Sequence, residues 1–215
     1  MALKWIPNAI TLVRIGAAPF IGWLIWQATS LGFISGTPCP GYETCPQKAA
    51  SLLTIAFWLF TLAAVTDWLD GALARALDAA SPFGAKLDLW ADKILVASVL
   101  IGFLPNRPWI AVPALLCLTV RDLLIMALRA RRPDVNLKAT LLAKSKTAIV
   151  MVGLALWLAS FPIALHLAEG DIFAVGPSDL IIGLLGFLLT AFGCVLSLYT
   201  GWQYLAAAQR TPAPE

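Results

Sequence analysis

"TDWLDGALARALDAASPFGAKLDLWADK", residues Thr66 to Lys93, places five aspartates and three cations in a chain otherwise dominated by Leu, Ala, Ile and Val. Asp67 and Asp70 are three residues apart and Asp88 and Asp92 four apart, so on helices each pair projects from a single face. A turn at Ala79 to Pro82 would bring the two pairs together. Four carboxylates about 5 Å apart would repel by roughly 3 kcal/mol per pair even at an effective dielectric of about 20, so they need cations or some must stay protonated. Hard carboxylate oxygens without His or Cys beside them favour Mg²⁺, Mn²⁺ or Ca²⁺. Two such ions bridged by shared carboxylates form a clamp suited to displacement at a phosphorus centre. Gly71, Ala74 and Gly84 leave helix surface open near the acids, and Arg75 offers a planar fork of donors that suits phosphate oxygens. Any one of these acids is ordinarily a solvated charge at a helix end; the whole set in one frame is not explained that way.

The surroundings of this stretch set the fold class. The chain has 215 residues, of which 60% are hydrophobic and 13% charged, and its mean hydropathy is +0.84. One soluble core of that size cannot hide so many apolar side chains, which places the chain in a membrane. Apolar runs long enough to cross a hydrocarbon layer, about 20 helical residues, occur near Pro7 to Trp26, Ala49 to Val65, Trp109 to Leu128, Thr147 to Leu165 and Leu180 to Leu205. Ile94 to Leu104 is too short alone, but a helix from Ala85 to Leu104 would have 20 residues and spans by taking Asp88 and Asp92 with it. The expectation is an all-α integral membrane protein of six transmembrane helices, one domain over residues 1–215. Its acidic motif, residues 67–92, lies at the cytoplasmic ends of the second and third helices. The first apolar run, interrupted by Arg14 and Pro19, is expected to stay as the first span rather than be cleaved.

Loop charge orients the bundle. With both termini cytoplasmic, only Lys48 and Arg107 of the 15 Lys and Arg residues fall outside, as the positive-inside rule requires. A net charge of +3 fits contact with anionic lipid heads rather than nucleic acid. Cys39 and Cys45, in a turn-rich outer loop, can pair if that loop faces an oxidising periplasm, with two free thiols as the alternative. Cys117 and Cys194 read as packing residues and His166 as an interfacial side chain.

The pattern D-x2-D-G-x2-A-R-x8-G-x3-D-x3-D is met by Asp67, Asp70, Gly71, Ala74, Arg75, Gly84, Asp88 and Asp92, and it resembles the signature of the CDP-alcohol phosphatidyltransferases. That resemblance implies a six-helix membrane enzyme, a homodimer, that transfers the phosphatidyl group of a CDP-lipid to an alcohol and releases CMP. It implies a divalent metal, Mg²⁺ or Mn²⁺ and two ions, on Asp67, Asp70, Asp88 and Asp92. Asp92 would also serve as the catalytic base, and Thr66, Asp67, Gly71, Ala74, Arg75 and Gly84 would contact the CDP-lipid. Asp78 lies outside the pattern.

"PNAITLVRI", "RDLLIMALR" and "AKSKTA" further resemble the branch of that family whose acceptor is glycerol 3-phosphate. Arg14, Arg121, Arg129, Lys144 and Lys146 would then bind the acceptor's phosphate, the donor being CDP-diacylglycerol. Arg121 lies eight residues, about 12 Å of helix, deeper than Arg129, so it is expected to face a polar cavity with Asp122 or a phosphate. Asp122 itself and "ARRPDVNLK" also resemble the CDP-lipid-dependent cardiolipin synthases, whose acceptor is phosphatidylglycerol. A cation transporter or channel is the reading from a different class, but its acids should lie near mid-bilayer on several helices. A bacterial inner membrane, with the active site at its cytoplasmic face, is the expected location.

Overall fold

The protein, as a computed structural model, is described over residues 6–31, 45–76, 82–131, 141–167 and 177–210; within these helices some side chains, including those of 68–76, 128–131, 141–144 and 161–167, lie outside the description. Six helices follow one another: α1 (Ile6–Ser30), α2 (Cys45–Ala76), α3 (Pro82–Gly102), α4 (Pro108–Arg131), α5 (Leu141–Leu167) and α6 (Pro177–Arg210). Proline opens α3, α4 and α6, the position where its missing N–H costs nothing and its fixed φ favours the helix. Pro82, expected in the turn, is thus the first residue of α3. The hidden helix is real: α3 continues from Pro82 through Asp88 and Asp92 into Ile94–Gly102.

Among the described residues four helices are long and apolar enough to cross a membrane, at Asn8–Ser30, Gln47–Asp67, Pro108–Ala127 and Leu180–Ala206, and α5 adds the shorter apolar stretch Ser145–Ser160. The third helix, with Asp88, Asp92 and Lys93 on it, is not among them. The outward surface is itself apolar: Trp58 is 64% exposed, Leu180 63% and Trp202 71%. Such a surface suits hydrocarbon and not water, so this is an integral membrane protein.

In the bundle α1 packs against α2 and α3, α5 against α6, α2 against α5, and α4 against α6 and α3. The core joins Ile21, Ile25, Leu53, Phe60, Leu95, Val99, Phe103, Leu154 and Leu158, and the Phe103 and Trp157 rings stack with centroids 4.4 Å apart. Between α1 and α3 the backbones come close. A Cβ on Gly22 would lie 2.6 Å from the Ser98 carbonyl oxygen, and the Thr29 hydroxyl donates to the Gly102 carbonyl at 2.8 Å. These contacts fix the register of α1 on α3, and with it the positions of the charged residues both helices carry. At the amino end of α2, Cys45 is disulfide-bonded; Cys39 lies outside the described residues, and Cys117 and Cys194 are free thiols.

Because nothing at Ser98 except backbone can give way, Gly22→Ala should destabilise the protein by about 1–3 kcal/mol, seen as a lower unfolding midpoint in detergent. An unchanged midpoint would mean that α1 and α3 are not held this tightly.

Candidate active site

Two charged clusters meet on α3, and consecutive residues of that helix serve them: Asp92 belongs to one and Lys93 to the other. Neighbours on an α-helix point about 100° apart, so one short segment can face two compartments.

The acidic cluster joins three helices around Arg14, whose side chain is only 1% exposed. Its Nη1 donates to Asp67 Oδ1 on α2, and lies 3.4 Å from Asp88 Oδ1 and 4.0 Å from Asp92 Oδ1 on α3. The four-residue spacing of Asp88 and Asp92 puts both on the face of α3 turned toward this point, as the sequence requires. Three carboxylates against one guanidinium leave two formal negative charges unanswered within this set. Asp92 Oδ1 is buried and has no hydrogen-bond partner among the described residues. Among the described residues no three acidic, His or Cys side chains already close on an ion-sized point; the Arg14 guanidinium occupies the place where they converge. Surplus negative charge, hard oxygen donors and an orphaned buried carboxylate oxygen are the conditions a divalent cation satisfies.

Of the residues expected to contact the CDP-lipid, Thr66 turns its hydroxyl back to the Leu62 and Ala63 carbonyls at 2.9 and 3.0 Å. Gly84 lies in the first turn of α3. Asp70, Gly71, Ala74 and Arg75 belong to the last turns of α2, and their side chains lie outside the described residues. Asp78 lies wholly outside them.

The second cluster lines a cavity of about 260 Å³ between α3, α4, α5 and α6. Asp92, Lys93, Arg121, Asp122, Lys146 and Tyr204 give it its polar wall, and Val96, Leu100, Leu118, Ile125 and Val150 the apolar remainder. Arg121 is fixed on three sides. Its Nε donates to the Ser197 carbonyl at 3.0 Å, its Nη2 to Thr200 Oγ1 at 2.7 Å, and its guanidinium lies 5.7 Å from the centre of the Tyr204 ring. Asp122 completes the arrangement by pairing with Arg121, Lys146 and Lys93. A guanidinium this deep in a bundle needs such partners, and Asp122 is one of them.

Arg14, grouped above with the acceptor-binding cations, is not on the wall of this cavity and pairs instead with Asp67, Asp88 and Asp92. Arg129 and Lys144 are in α4 and α5, with side chains outside the described residues. Lys93, Ser197, Thr200 and Tyr204 were not anticipated. The last three are spaced by three and four residues, a polar stripe on an otherwise apolar α6 that marks an inward-facing side.

With this geometry in place, the family is plain. The family model described as CDP-alcohol phosphatidyltransferase matches residues 4–199, and the chain belongs to that family of membrane enzymes. It is 34% identical over 210 residues to the CDP-diacylglycerol–glycerol-3-phosphate 3-phosphatidyltransferase of Escherichia coli (strain K12), covering 95% of this chain and 94% of that one. It is 31% identical over 212 residues to the protein of the same name from Pseudomonas fluorescens, covering 94% and 89%. A cardiolipin synthase (CMP-forming) from Oryza sativa subsp. japonica is 37% identical over 173 residues, covering 74% of this chain and 46% of that protein.

If Arg14 is what makes the carboxylates tolerable, Arg14→Met should cost on the order of 2–3 kcal/mol. Adding Asp67→Asn should then restore part of the loss, because the uncompensated carboxylate is the source of the cost. Additive losses in a detergent unfolding series would contradict this pairing.

Proposed function

We propose that the protein transfers the phosphatidyl group of CDP-diacylglycerol to glycerol 3-phosphate, giving phosphatidylglycerophosphate and CMP. The observation that carries this reading is the position of Asp92, which faces the acid cluster on one side and lines the three-cation cavity on the other. Full-length similarity to proteins named for that reaction supports the choice of acceptor.

In this reading Asp67, Asp70, Asp88 and Asp92 would hold divalent metal, Mg²⁺ or Mn²⁺ and two ions, and the buried Asp92 Oδ1, which accepts no hydrogen bond among the described residues, supports that assignment. Bound metal would supply charge stabilisation at the pyrophosphate and the departing CMP. Gly71, Ala74, Arg75 and Gly84, with Thr66, would flank the nucleotide. Arg121 and Lys146 would hold the acceptor's phosphate. The acceptor hydroxyl would then attack the phosphatidyl phosphorus in line with the leaving group. One O–P bond forms as the bond to the CMP oxygen breaks, and Asp92 accepts the hydroxyl proton.

Six crossings with both termini cytoplasmic and a bacterial inner membrane complete the proposal, on the loop charges and the bacterial relatives, and a homodimer joins it on the family resemblance alone. The plant relative keeps a second acceptor in view, phosphatidylglycerol. Family membership sets aside the transporter or channel alternative.

CMP release from CDP-diacylglycerol should occur with glycerol 3-phosphate and not with serine or phosphatidylglycerol, and should stop on chelation of divalent metal. Release only with phosphatidylglycerol would replace the reading by the second one. Asp92→Asn should lower turnover by about a hundredfold or more in protein that remains folded; turnover near wild type would remove Asp92 as the base.

A further inference from the structure

Asp122 is the focal point of the cavity. Its Oδ1 accepts from Arg121 Nη1 at 2.6 Å and from Lys146 Nζ at 3.1 Å, and its Oδ2 pairs with Lys93 Nζ at 3.0 Å. The three cations come from α4, α5 and α3, so no helix by itself sets their spacing. Arg121 has three further ties, to Ser197, Thr200 and the Tyr204 ring, while each lysine has one: Lys146 to Ser197 Oγ at 3.5 Å and Lys93 to Met126 Sδ at 3.9 Å. The lysine ties are long and weak. Without the carboxylate, three like charges would share a largely apolar cavity with little to hold two of them in place.

The carboxylate does not exhaust its partners. A guanidinium carries five N–H donors and each ammonium three, so the gathered heads keep donors for another anion in the same cavity. Their formal charge also suits one kind of anion. Three cations less one carboxylate leave two positive charges among these four residues, the charge of Asp92 on the same wall being counted with the acids around Arg14, and a phosphate monoester carries close to two negative charges at neutral pH, about −1.5 to −2. A phosphodiester carries one.

We propose that Asp122 is a positioning residue for the acceptor's phosphate: it gathers the heads of Lys93, Arg121 and Lys146 from three helices around one point, leaving a charge that suits a phosphate monoester. The inference rests on the reading of this cavity as the acceptor's site. It gives the acid beside Arg121 a role in acceptor recognition and adds Lys93 to the residues that contact the phosphate.

The test is steady-state CMP release by the purified full-length protein, with CDP-diacylglycerol and glycerol 3-phosphate, and inorganic phosphate as a competitor of the acceptor. Asp122→Asn should raise the acceptor KM by about tenfold or more, exceed any fall in kcat, and leave the KM for CDP-diacylglycerol unmoved. Inhibition by inorganic phosphate should weaken in parallel, and Asp122→Glu should recover most of both effects. Lys93→Met should raise the acceptor KM by a smaller factor and add little in the Asp122→Asn background; this variant carries the test if Asp122→Asn does not fold. An acceptor KM within about twofold of wild type in Asp122→Asn would overturn the proposal, as would unchanged phosphate inhibition or effects of the two variants that simply multiply. Should Arg121→Ala and Lys146→Ala leave the acceptor KM unmoved, the cavity is not the acceptor's site and the underlying reading fails. Large effects of those two beside a silent Asp122→Asn would sink the role of Asp122 alone.

Discussion

Charge enclosed between apolar helices has to be answered by opposite charge within a few ångströms, because neither hydrocarbon nor packed side chains will solvate it. The interior of this bundle is arranged around that constraint. Arg14 reaches from α1 to the acids of α2 and α3, and Asp122 on α4 collects cations from α3, α4 and α5. The two clusters have opposite surpluses, negative around Arg14 and positive around Asp122. They meet at Asp92 and Lys93, where α3 passes between them.

That placement gives α3 a dual duty which explains its composition. It is the helix with acids and two lysines along its first half and an apolar second half, Ile94 to Gly102, locked to α1 through Gly22, Ser98 and Thr29. The locked half fixes the charged half. In the proposed reaction a nucleotide-bearing lipid and a small anionic acceptor meet at one phosphorus, and α3 would be the rigid boundary between their two binding regions.

Much of this was readable in the chain. Apolar runs located α1, α2, α4, α5 and α6, and extending Ile94–Leu104 backward through Asp92 and Asp88 located α3, because no shorter helix could serve. Helical spacing correctly put Asp88 and Asp92 on one face. What spacing cannot provide is which faces of different helices meet. Arg14 was therefore grouped with the cations of α4 and α5, although α1 packs on α2 and α3 and brings it to the acids. Lys93 sits one residue from an acid and reads locally as its counter-ion, yet its position around the helix turns it to Asp122. Ser197, Thr200 and Tyr204 left a legible polar stripe, obscured by the apolar bulk of α6. The cysteines behaved similarly: sequence left Cys45 between a disulfide and a free thiol, and the fold has it bonded.

The central claim is that donor and acceptor chemistry are separated by one helix and joined at Asp92. Anomalous scattering from crystals grown with Mn²⁺ and glycerol 3-phosphate tests it most directly. Manganese should appear at Asp67, Asp88 and Asp92, with the acceptor's phosphate across α3 against Lys93, Arg121 and Lys146. Manganese bound away from these aspartates, or a phosphate seated on the α2 side of α3, would contradict the account.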